Sequence, residues 1–133
     1  MKHSLFALML ALLAQRALGC EICVEDQIAA TYDYGVLVRA EAAGRNVLFA
    51  ALRGEAASAP RSEAIVRQAI STLSGVDRSS IRLSAVPSAA SFAWDPKRYS
   101  SGAILRALNA KLAKTGLSLV ALRIIDQDSS STR

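Results

Sequence analysis

The chain has 133 residues, 52% of them hydrophobic and only 5% aromatic, with a formal net charge of +5. Its positive charges are scattered rather than gathered into a stripe, which excludes a nucleic-acid footprint. Two cysteines permit at most one disulfide, so a stapled mini-scaffold is excluded and an apolar core must hold the fold.

The first residues read as a secretory leader. Lys2 supplies a positive start, Leu5 to Ala14 an almost unbroken apolar run, and Ala17-Leu18-Gly19 the small residues a signal peptidase inspects. Residues 1–19 are expected to be a cleaved signal peptide, with the mature chain starting at Cys20 in the periplasm or outside the cell. The run is too short to cross a bilayer, which takes roughly 20 apolar residues, and no later stretch is long enough, so no transmembrane segment is expected. Gly19-Cys20 also suits a lipoprotein, but the Leu preferred three places before an acylated cysteine is Ala17 here, and that reading ranks second. His3, Met1 and Met9 leave with the leader. No His-based acid–base site or His-ligated metal is then available. No enzyme is expected: neither a Ser-His-Asp set nor a phosphate loop occurs.

Residues 24–43 are predicted to form one helix, with Val24, Ile28, Tyr32, Val36, Ala40 and Ala43 recurring at helical spacing. Acidic Glu21, Glu25 and Asp26 suit its first turn. Gly44 suits the position just past its end, and Gly35 is a weak point inside it. Residues 46–52 form a short strand, apolar on both sides: Val47, Phe49 and Ala51 against Leu48, Ala50 and Leu52. A helix over 63–73 follows, opened by Ser62 and stopped by Gly75. Residues 81–85 and 90–94 alternate as strands about a Pro87-Ser88 turn. Asp95-Pro96 ends the second of these. Ser100 or Ser101 opens a helix over 102–114, Gly116 stops it, and 117–125 is the last strand. The polar tail from Gln127 is expected to be disordered.

The order β-α-β-β-α-β is that of an α+β, ferredoxin-like sandwich with an extra N-terminal helix. Right-handed crossovers put both core helices on one face of the sheet. The Ala-rich leading helix is expected to cover the other face, over Leu48 and Leu52. The organisation is thus a leader (1–19), an N-terminal helix (20–44), one domain (45–126) and a tail (127–133).

Particular residues carry a resemblance within 46–125. They are Leu73-Ser74-Gly75-Val76, Ser80-Ile81-Arg82-Leu83-Ser84, Ala90-Ser91-Phe92-Ala93-Trp94-Asp95-Pro96 and Ile104-Leu105-Arg106-Ala107-Leu108-Asn109. In order and spacing they resemble the heavy-metal-associated (HMA) domain of copper chaperones and P-type ATPase modules. The resemblance implies metal carriage, with a membrane transporter or an acceptor protein as possible partner. Family members hold a Gly-Met-x-Cys-x-x-Cys loop after the first strand. Here that loop reads Gly54-Glu55-Ala56-Ala57-Ser58-Ala59-Pro60, without a cysteine, so no family ligand carries over.

Cys20-Glu21-Ile22-Cys23 is instead the one concentration of chemistry. Two thiols three residues apart at a helix start can converge on one ion, and the positive helix end favours thiolate. Soft thiolates select Cu(I) or Zn(II). Two ligands suit near-linear Cu(I), whereas zinc wants four and ranks lower. A helix of roughly 30 Å and a strand of roughly 23 Å are joined only by Gly44 and Arg45. Their antiparallel packing would return Cys20 and Cys23 to the end of the sheet where loop 54–60 lies. Other readings of the pair stay open: a local disulfide, inert residues at a frayed end, or a thiol–disulfide exchange site. Against exchange, no thioredoxin-type core or cis-proline turn is legible. A non-catalytic interaction module on the same fold, using a sheet edge or the leading helix, is the rival function. Phe92 and Trp94 read as core, Asp26 and Asp33 as solvated acids on one helical face, and Tyr32 and Tyr34 as pointing to different sides. Arg78, Arg82, Arg98 and Arg106 read as solvated charges.

Overall fold

The computed structural model describes residues 23–127. The proposed leader, Cys20, and residues 128–133 of the tail lie outside them. Two short helices come first, α1 (Val24–Thr31) and α2 (Tyr34–Ala42), then β1 (Asn46–Arg53). They are followed by α3 (Pro60–Ser71), β2 (Val76–Ala85), β3 (Ser88–Trp94), α4 (Ser101–Leu112), one 3-10 turn (Ala113–Thr115) and β4 (Ser118–Ile125). The strands form one antiparallel sheet in the order β2-β3-β1-β4, the ferredoxin-like arrangement. Among the described residues no helix is long and apolar enough to cross a membrane.

The leading helix is not continuous, and it breaks before Gly35 rather than at it. Tyr32 takes an extended conformation. Asp33 then caps α2, its Oδ1 accepting the Val36 amide at 3.1 Å. A short carboxylate that can satisfy an orphan helix amide competes with helix propagation, and here it wins. The far end of α2 closes as expected. Gly44 sits at φ +66°, the Gly44 amide donates to Glu41 O and the Arg45 amide to Ala40 O, so two otherwise orphaned carbonyls are paired.

β1 is buried along its length up to Leu52, with α3 and α4 on one face and the α1–α2 pair on the other. The assignment of faces reverses the expectation. Leu48, Ala50 and Leu52 join the main core with Val66, Ile70, Phe92, Trp94, Ile104, Leu108 and Leu112. Val47 and Phe49, with Ala93, meet Ile28 and Ala40 of the leading helices. Both sets are apolar, so alternation alone cannot say which faces which layer; the hand of the crossovers decides it. Phe92 and Trp94 are fully buried, and the indole N–H donates to Tyr99 O at 2.9 Å.

Most other boundaries move by a few residues. β2 begins at Val76, five residues earlier than predicted, because its first part pairs with β3 before the register jumps between Asp77 and Arg82. Pro60 opens α3, and Ser62 lies buried inside its first turn, donating to Ala57 O and Ala59 O instead of capping. Ser100 caps α4 as predicted, accepting the Ala103 amide. The Val86–Pro87 peptide between β2 and β3 is cis, which the sequence reading did not anticipate. Gln127, assigned to a disordered tail, donates its amide to Asn46 Oδ1 at 3.1 Å.

Candidate metal centre

Cys23 immediately precedes α1 and is exposed, with a free thiol. Its carbonyl accepts the amides of Asp26 and Gln27 at 2.9 and 3.1 Å, so its backbone belongs to the first turn. Its side chain makes no capping hydrogen bond to that turn. Cys20 lies outside the described residues, among which Cys23 is the one thiol.

The turn that follows Cys23 is fastened on two sides. Gln27 donates to Ser88 O at 3.4 Å, and Arg123 of β4 meets Glu25 at 2.8 Å. Ser88 pairs with Ala85 at the β2–β3 hairpin, and the neighbouring Ala89 pairs with Ala51 near the end of β1. That is the end of the sheet from which loop 54–60 leaves. From there α1 descends along β3, where Ser91 Oγ donates to Thr31 O at 3.0 Å. The contact between α1 and the sheet is unusually polar. Gln27 and Thr31 are 2% and 3% exposed, and Gln27 Oε1 and Thr31 Oγ1 have no hydrogen-bond partner.

Loop 54–60 is built to pack, not to ligate. Gly54 has φ +123°, and a Cβ there would lie 2.2 Å from Gly116 O, so the two loops touch backbone to backbone. Ala57 is buried, and Ser62 ties its carbonyl and that of Ala59. Among the described residues no group of three or more His, Cys, Asp or Glu side chains could hold an ion.

One polar pair escaped the sequence reading. Asp33 and Arg82, both assigned to solvent, meet through Arg82 Nε and Nη2 at 2.9 and 2.8 Å. The Arg82 hydrogen bond, then the Val36 amide, holds the Asp33 carboxyl below its ordinary range. Asp26 and Asp33 do not share a helical face, because they belong to different helices. The available signal was Asp33 itself, a residue type that favours N-caps, standing inside a helical pattern. Tyr32 and Tyr34 are both exposed.

No family model matches the chain, and no curated protein matches it. Among solved structures it is similar to oxidized MerP from Ralstonia metallidurans CH34, at 17% identity and a TM-score of 0.45. The match covers 58% of this chain and 99% of that one. The architecture stands on the strand order and pairing seen in this chain itself.

Proposed function

We propose that the exported chain binds a soft metal ion, Cu(I) before Zn(II), through Cys20 and Cys23, for carriage or sequestration in the periplasm. The observation that supports this reading is the position of Cys23: an exposed, free thiol at a helix start. Its next turn is fixed to the sheet by Gln27 and Glu25. A ligand pair on such a footing is accessible to an acceptor while its second residue is held. The resemblance to HMA domains agrees with the choice of a soft ion, although the dithiol stands before the fold rather than in loop 54–60. Reduced protein titrated anaerobically is expected to take up one Cu(I) per chain, and C20S and C23S are each expected to abolish tight uptake. Affinity should fall with pH, because protons compete for the same sulfurs. No uptake in the reduced wild type would remove the metal reading.

A second reading, a protein-interaction module that has lost the metal, is favoured by the closed packing of loop 54–60 around Ala57 and Ser62. The same titration separates the two, since the module binds no ion. A thiol-exchange protein would differ from both, with C20S and C23S behaving unequally toward a model disulfide.

A further inference from the structure

The helix layer carries an open cavity of about 510 Å³ that lies on the far side of the sheet from α1 and Cys23. One wall is α3, with Ala64, Ile65, Gln68, Ala69 and the capping Thr72; the other is the last turn of α4, with Lys111 and Leu112. Ala69 and Leu112 are buried at its floor, and Ile65 stays 37% exposed at its rim. Small side chains at 64, 69 and 72 keep the space open, while Val66, Ile70 and Leu108 turn onto the sheet. The charged residues of α3, Arg61, Glu63 and Arg67, do not line it, so its wall from Ala64 to Thr72 is uncharged over about 12 Å of helix. Lys111 is its single charge. The ion pairs among the described residues are Asp33–Arg82 and Glu25–Arg123, so no carboxylate there matches the Lys111 ammonium. α3 starts, and α4 finishes, at the end of the sheet where Gly54 meets Gly116, which sets Lys111 at the Ala64 end of the groove.

We infer that this groove binds an amphiphile with a carboxylate head and an aliphatic tail, a medium-chain fatty acid, the head on Lys111 and the tail along Ile65 and Ala69 towards Thr72. Size selects a small molecule. The volume falls within the range of about 300–1,000 Å³ usual for ligand pockets, which are apolar with a few placed polar groups. Its seven lining residues are far fewer than the roughly 20–30 a side that a stable protein interface needs. Charge then selects the head, because an unmatched cation at one end of an uncharged trough favours an anion there and rejects a second cation. The apolar length selects the tail: an inorganic anion would use Lys111 and leave Ile65, Ala69 and Leu112 uncovered. Nothing in the inference depends on the dithiol.

Titration of the full exported chain with decanoate, kept below its micelle concentration and followed by amide NMR shifts, tests this. Decanoate should give saturable shifts at the amides of Ile65, Gln68, Thr72 and Lys111 and leave β1 and β3 unmoved. K111E should weaken binding about tenfold, the worth of one hydrogen bond to a charged group, and K111R should retain it. Decanol has the same tail without the charge and should bind as weakly as decanoate binds K111E. Acetate, the head alone, should not bind. A64L puts a larger side chain into the groove and should abolish binding. Ala64 and Lys111 are both exposed, so melting curves should show these variants folded; if one is not, decanol and acetate on the wild type decide alone. Shifts that do not saturate, shifts centred elsewhere, a K111E that binds like the wild type, or decanol as tight as decanoate overturn the proposal. So do shifts at these residues on raising the protein concentration alone, which would give the groove to a second copy.

Discussion

Asp33 is one side chain asked to do two jobs. It caps α2 through the Val36 amide and pairs with Arg82 on β2, so it fixes the start of one element to the edge of the sheet. Arg82 and Val36 depress its folded pKa, so its contribution is present above the unfolded value of about 3.9 and is lost as pH falls from there through the folded value. D33N keeps a capping side chain but loses the charge. It should therefore be less stable than the wild type at neutral pH and show a shallower loss through that acid window, with D33A lower still. Thermal melts across the acid range read both effects; identical acid limbs in D33N and wild type would refute the assignment. Trp94 illustrates the opposite case, a residue legible from the start. Its alternation with small neighbours and the Asp95-Pro96 stop announced a buried strand end, and it is fully buried. W94A should cost about 3–5 kcal/mol, measured by urea unfolding followed by circular dichroism. W94F should cost less, the loss combining the hydrogen bond to Tyr99 O with the volume the smaller ring leaves unfilled.

At the scale of elements, the run Val47 to Leu52 revealed a strand covered on both sides, and so a sheet with a layer on each face. It could not reveal which residues meet which layer, because the alternating sets are equally apolar. The kink between α1 and α2 was illegible for a related reason. Periodicity continues through Tyr32 and Val36, and the local Asp33 cap on the Val36 amide outweighs it together with the Asp33–Arg82 contact, which joins residues far apart in sequence. The proposed metal site rests on the spacing of two cysteines in the sequence alone, since Cys20 lies outside the described residues. These corrections move the expected effect of removing residues 20–44. The side chains uncovered are Val47 and Phe49, not Leu48 and Leu52. Exposing each costs about 1.5–3 kcal/mol, so a 45–133 chain should unfold at markedly lower urea concentration when followed by Trp94 fluorescence. An unchanged midpoint would mean that α1 and α2 contribute nothing to holding the sheet.

Across the whole molecule, the two faces of the sheet are held with unequal strength, and that inequality has a dynamic consequence. One face carries the main core, where α3 and α4 bury Val66, Ile70, Ile104, Leu108 and Leu112 against Phe92 and Trp94. The other carries a much smaller cluster centred on Ile28, Ala40, Val47 and Phe49. Into that smaller interface α1 also brings Gln27 and Thr31, each with a buried polar atom left unpaired. An unsatisfied buried group costs about 1–3 kcal/mol, which subtracts directly from the docking of α1. Helices of 8 and 9 residues are in addition too short to persist once undocked. The α1–α2 pair should therefore open and melt as a unit well below the free energy of global unfolding. Native-state hydrogen exchange should show amides of 24–42 protected less than those of β1 and β3. The double change Q27L/T31V, which removes both unpaired atoms, should slow exchange in α1 while leaving β1 and β3 in the main unaltered. Uniform protection across helices and sheet, or a Q27L/T31V chain whose α1 exchanges as fast as before, would show that the polar contact is satisfied and that both faces unfold together.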